Sequence, residues 1–65
     1  LTPREREVLG LLCDGLDDKA IAGKLVLSSN TVRNHVASIY AKIGTSRRSG
    51  AVVWGRERGM GSKRD

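Results

Sequence analysis

The sequence predicts an all-α fold: a four-helix bundle containing a helix-turn-helix, with helices at about residues 3–14, 18–25, 29–43 and 47–58. Three observations lead there. Apolar residues recur at helical spacing, with no strand-like alternation. A residue able to cap a helix stands before each apolar stretch, at Thr2, Asp17, Ser28 and Ser46. Glycines at positions 15, 44 and 59 follow three of these stretches, where a chain leaving a helix needs them.

The first helix opens on Thr2-Pro3-Arg4-Glu5. This is capping-box spacing: the Thr hydroxyl takes the Glu5 N–H, the Glu5 carboxylate returns to the Thr2 N–H, and Pro3 occupies the position where a missing donor costs nothing. Val8, Leu9, Leu11 and Leu12 give the helix its apolar side. A shorter helix starts after Asp17 and carries Ile21, Ala22 and Leu25 on a narrow stripe. Only Val26 and Leu27 separate it from the next cap at Ser28, so the two helices meet at a sharp angle. That is helix-turn-helix geometry, in a turn that lacks the usual glycine.

The third helix is the one around which the chain is organised. Val32, Val36, Ile39 and Ile43 recur at i, i+4, i+7 and i+11 and line the side that faces a core. Asn30, Arg33, Asn34, Ala37 and Ala41 form the opposite stripe. Arginine forks onto guanine O6 and N7, and asparagine onto adenine N6 and N7, so Arg33 and Asn34 carry side chains suited to reading purines in a major groove. The small Ala37 would let the backbone come close or touch a thymine methyl.

In the fourth helix, Ala51, Val52, Val53 and Trp54 are consecutive and cover most of the circumference. Apolar surface is left over after one side meets the core, and a second copy of the chain is the simplest partner for it. Gly50 and Gly55 weaken this helix by up to ~1 kcal/mol each relative to alanine, so fraying is expected when it is unpaired. Trp54 suits core and interface equally.

Length and composition bound the rest. At 65 residues the chain is one small domain, expected over residues 1–60 with a disordered tail at 61–65. Cys13 stands alone and cannot form an internal disulfide, which points to a cytosolic setting and a small buried side chain. No apolar run approaches the ~20 residues of a membrane helix. The net charge is +5, unevenly spread: residues 1–18 hold two basic side chains against five acidic, and the remainder ten against two. Charge of this size is common in small domains without a nucleic-acid partner, and it gains meaning only beside the third helix. His35 has no ligand-spaced Cys or carboxylate and reads as packed or touching phosphate; no metal or other cofactor is implied. With one His and one Cys, no nucleophile, base and orienter can be assembled, so no enzyme is expected.

Taken together, LTPREREVLGLL, Gly15-Leu16, Lys19-Ala20-Ile21-Ala22, Thr31-Val32-Arg33-Asn34-His35-Val36, Lys42-Ile43-Gly44 and Arg48 with Ala51 resemble the LuxR-type helix-turn-helix domain. This is the C-terminal output module of many bacterial response regulators and quorum-sensing transcription factors. The resemblance runs nearly to Met60. It implies a cytoplasmic, two-component type of transcription regulator in which this domain binds double-stranded DNA, the third helix entering the major groove and the fourth forming a homodimer, weak in an isolated fragment. It implies base contacts from Asn30, Arg33, Asn34 and Ala37, and phosphate contacts from Lys19, Ser29, Thr31, Arg47 and Arg48. Val52, Val53, Trp54 and Arg56 fall on the implied dimer helix, and a contact with RNA polymerase is a further expectation. The chain departs from the family pattern in Arg33, where Lys is frequent, and in Ala20, where Glu is usual. A regulatory domain normally precedes such a module, so the chain is read as a fragment of a longer regulator. Two other readings stay open: a protein-interaction module that works through the fourth helix, and a sigma-factor-like promoter-binding domain.

Overall fold

A computed structural model describes residues 1–61. Its helices are α1 (Pro3–Cys13), α2 (Asp18–Leu25), α3 (Ser29–Ile43) and α4 (Arg48–Glu57), with no strand among the described residues. Local side-chain chemistry starts the first three. In α1 both arms of the capping box are made: Thr2 Oγ1 accepts from Glu5 N–H at 3.1 Å, and Glu5 Oε1 from Thr2 N–H at 2.8 Å. Asp17 Oδ1 accepts from Ala20 N–H at 2.8 Å, and Ser28 Oγ from Thr31 N–H at 3.1 Å. Gly15 (φ 89°) and Gly44 (φ 78°) take the left-handed conformation after α1 and at the end of α3.

Three helix ends fall one residue inside the approximate bounds expected, and one expected cap is not made. Helix α1 ends at Cys13 rather than residue 14, because Asp14 is the C-cap, its N–H shared among the carbonyls of Gly10, Leu11 and Leu12. Helix α4 spans Arg48–Glu57 rather than 47–58, and Ser46 does not cap it. Thr45 Oγ1 instead accepts from Arg47 N–H at 3.2 Å, a local turn that leaves Arg47 at the N-cap with no side-chain cap bond. At the other end Arg58 is the C-cap, with backbone angles outside the helical region. The expected tail, apart from Gly61, lies outside the described residues.

The turn between α2 and α3 is made without glycine. Val26 adopts φ 56° and ψ 49°, and its N–H closes α2 onto the Ala22 carbonyl. Leu27 N–H reaches the same oxygen at 2.9 Å. A β-branched residue is strained there, at a cost of about 1–2 kcal/mol. Val26 is 88% exposed, so no packing of its side chain offsets the strain.

Helix α1 lies centrally, packed against α3 and α4 and more lightly against α2, while α2 packs on α3. The buried core combines Val8, Leu9, Leu12 and Cys13 with Ile21, Ala22, Val32, Val36, Ile39 and Ala51. Each large side chain fully withdrawn from water contributes about 1.5–3 kcal/mol. Tyr40, Ile43, Val52, Trp54 and Met60 close its edges.

Two close contacts fix how the helices sit. On α4, Gly55 is buried, and a Cβ there would collide with Cys13 Sγ, with Leu9 Cγ at 3.5 Å behind it. The residue that weakens α4 on propensity is therefore the one that lets it lie flat on α1. Cys13 is buried as expected, and its thiol donates to Val52 O at 3.7 Å. On α3, Ser38 Oγ donates to Glu5 Oε2 at 2.6 Å and Lys42 Nζ to Glu5 Oε1 at 2.8 Å. Glu5, read from sequence only as half of a cap, ties α1 to the C-terminal half of α3. Lys42, then Ser38, then the Thr2 N–H hold its carboxyl down at about 2, against an ordinary 4.5.

Candidate nucleic-acid interface

With its back held by α1 and α2, α3 turns one side outward. Successive residues are rotated by about 100°, which places Asn30, Arg33, Asn34 and Ala37 within roughly one 100° sector. All four are exposed, whereas Val32, Val36 and Ile39 on the other side are buried. Ala41 continues the exposed stripe. The base-reading candidates thus share a surface at the N-terminal half of the helix, and the backbone beneath them is fixed by core packing.

The phosphate candidates divide into two groups. Lys19, Ser29 and Arg47 are exposed, and their side chains make no hydrogen bond or ion pair among the described residues. Thr31 and Arg48 are already engaged. The Thr31 hydroxyl lies 2.9 Å from that of Ser28. Arg48 Nη2 donates to the Leu16 carbonyl, and Arg48 Nη1 lies 3.5 Å from Asp18 Oδ1.

Asp18 was absent from the sequence-derived site. It belongs to the acidic first 18 residues, which the charge count sets apart from the basic remainder. The fold brings it to the interface, where Arg33 Nε lies 3.8 Å from Asp18 Oδ2. The starts of α2 and α4 and the N-terminal half of α3 therefore meet around one carboxylate. Lys19 adjoins it in sequence, and Arg47 adjoins Arg48. Nothing local in the sequence announces contacts across 15 and 30 residues; a helix-turn-helix arrangement is needed first.

On α4 the pairing candidates are unequal. Val53 is 56% exposed and Arg56 is exposed, but Val52 and Trp54 are half-buried against the core. The Arg58 guanidinium sits 3.9 Å from the Trp54 ring centroid, and its Nη1 donates to Trp54 O at 3.0 Å. Trp54 thus serves the core edge, and the apolar surface left over is centred on Val53. His35 is half-buried, and no cluster of metal-ligating side chains occurs among the described residues. No helix among these residues is long and apolar enough to cross a membrane.

A three-residue link between α2 and α3, Val26 to Ser28, with an exposed polar stripe on the second helix of the pair, defines a helix-turn-helix domain. The chain belongs to the luxR family of bacterial regulatory proteins, whose family model matches residues 1–55. That family is one of regulators, not of enzymes. The chain is 46% identical over 57 residues to the DNA-binding transcriptional activator DevR/DosR of Mycobacterium tuberculosis (strain ATCC 25618 / H37Rv), covering 88% of this chain and 26% of that protein. It therefore spans about a quarter of that relative's length. Among solved structures, the response regulator ChrA of a heme-sensing two-component system superposes with a TM-score of 0.85 at 37% identity, over 92% of this chain and 30% of ChrA. The transcription factor GerE superposes with a TM-score of 0.82 at 40% identity, over 95% of this chain and 92% of GerE.

Proposed function

We propose that this domain binds double-stranded DNA sequence-specifically as the output module of a longer transcription regulator of the response-regulator type. The observation that carries the reading is the exposed sector of Asn30, Arg33, Asn34 and Ala37 on a helix whose opposite side is locked into the core. In this reading α3 lies in the major groove. Arg33 pairs with guanine, Asn34 with adenine, Asn30 meets a neighbouring base edge, and Ala37 allows close approach. Lys19, Ser29 and Arg47 grip phosphates on either side and set the register. The net charge of +5 supplies sequence-independent attraction, and the likeness to a DNA-binding transcriptional activator supports the same assignment.

Pairing of two domains through α4, with Val53 and Arg56 at its centre, would present two α3 helices to adjacent half-sites. The small apolar area at Val53 makes this pairing weak in the absence of DNA.

The test is binding to random and selected duplexes by fluorescence anisotropy at several salt concentrations. Arg33→Ala should cost roughly 1–3 kcal/mol on the selected site and relax one base preference, whereas Arg47→Ala should weaken binding to all sequences alike and reduce the salt slope by about one. Equal losses on every sequence for both variants would exclude base reading by Arg33. A selected site with a single half-site would argue against pairing through α4.

A further inference from the structure

Arg33 presents five N–H donors, and which of them meets Asp18 has consequences. Asp18 Oδ2 lies 3.8 Å from Arg33 Nε, a Coulombic contact rather than a hydrogen bond. Contact at Nε leaves the outer edge of the guanidinium, Nη1 and Nη2, without a partner among the described residues. That edge is one a guanine O6 and N7 can accept from in bidentate fashion.

The carboxylate is itself held. Asp18 is the first residue of α2, where the positive end of the helix dipole favours an anion. Its other oxygen, Oδ1, lies 3.5 Å from Arg48 Nη1, and Arg48 is anchored in turn to the Leu16 carbonyl. Asp18 is a third exposed and Arg33 largely exposed, so the contact sits where DNA would arrive. An unheld arginine on such a surface would meet any phosphate equally well. One tethered through Nε beside a fixed anion is aimed at bases, and the anion repels phosphate from the same spot.

We propose that Asp18 is a positioning residue for specificity: held by Arg48, it tethers Arg33 at Nε and presents the Nη1 and Nη2 edge to a guanine. The proposal rests on the DNA-binding reading above.

The experiment compares the unaltered protein with Asp18→Asn, Arg33→Ala and the double variant. Anisotropy is measured on the selected duplex, on its set of single-base-pair substitutions, and on random duplex. Asp18→Asn is nearly isosteric, and its thermal melt checks that the fold is kept. At the base pair whose preference Arg33→Ala removes, Asp18→Asn should lower discrimination by roughly fivefold or more and leave the other positions unchanged. Affinity for random duplex should rise, because one negative charge facing the DNA is gone. In the Arg33→Ala background, Asp18→Asn should cause no further loss of discrimination.

A uniform change on all duplexes would overturn the proposal and reduce Asp18 to a bulk charge. If Arg33→Ala removes a base preference and Asp18→Asn leaves it intact, only the positioning role fails. If Arg33→Ala removes none, the base-reading role of Arg33 and the positioning role of Asp18 fail together.

Discussion

Glu5 and Asp18 are both carboxylates facing basic side chains from other helices, yet the two regions behave differently. The Glu5 side chain is 5% exposed, and its oxygens are shared among Lys42, Ser38 and the Thr2 N–H at 2.6–2.8 Å. The Asp18 side chain is 32% exposed, and its two guanidinium neighbours stand at 3.5 and 3.8 Å. Where water is excluded, a charge must be fully satisfied, and the Glu5 carboxylate is, although its partner Lys42 is itself 46% exposed. Where water is admitted, such a pair contributes only about 0.2–1 kcal/mol to stability. The contrast assigns Glu5 to holding α1 on α3 and Asp18 to whatever approaches α3 from outside.

The largest expected effect is on the Glu5 side. Glu5→Ala should lower the melting temperature by on the order of 10 °C, since it breaks both the capping box and the tie to α3. Circular dichroism melts would show this, and a loss no greater than that of Asp18→Ala would break the comparison. Acid titration sharpens it. The folded-state value of Glu5, about 2, lies below its ordinary 4.5, so its contribution to stability is complete above 4.5, shrinks as pH falls, and is gone below about 2. In Glu5→Gln that dependence should disappear, so its melting temperature and that of the unaltered protein should converge across this window.

A smaller effect, of opposite sign, is expected in the turn between α2 and α3. Val26→Gly should stabilise the fold by roughly 0.5–1 kcal/mol, the relief of left-handed strain exceeding the entropy cost of glycine. Urea unfolding would measure it, and base preference should stay unchanged. The smallest change in stability belongs to Asp18→Asn, within about 0.5 kcal/mol, with its effect falling on DNA discrimination instead.

Much of this architecture was legible in the chain because its causes are local. Thr2 with Glu5, Asp17 with Ala20 and Ser28 with Thr31 are three residues apart, a separation at which cap geometry follows from the helix itself. The spacing of Val32, Val36 and Ile39 likewise placed the buried side of α3 and, by difference, its exposed stripe. At the start of α4 the expected Ser46 cap is not made; Thr45 Oγ1 takes the Arg47 N–H in a local turn instead, a side-chain-to-backbone bond that competes with capping.

Packing settled the rest. Ser38 and Lys42 meet Glu5 across 33 and 37 residues, and Arg48 meets Asp18 across 30. Such pairs depend on interhelical angles and approach distances that no spacing rule contains. Gly55 could be read from sequence only as a weak helix former, and became a contact surface once Cys13 lay beneath it. Val26 could be read only as a turn without its glycine; its left-handed conformation closes α2 onto the Ala22 carbonyl, a bond no sequence pattern announces. Periods and caps act within one helical turn and belong to the chain, whereas the partners of Glu5 and Asp18 exist only after four helices have been laid against one another.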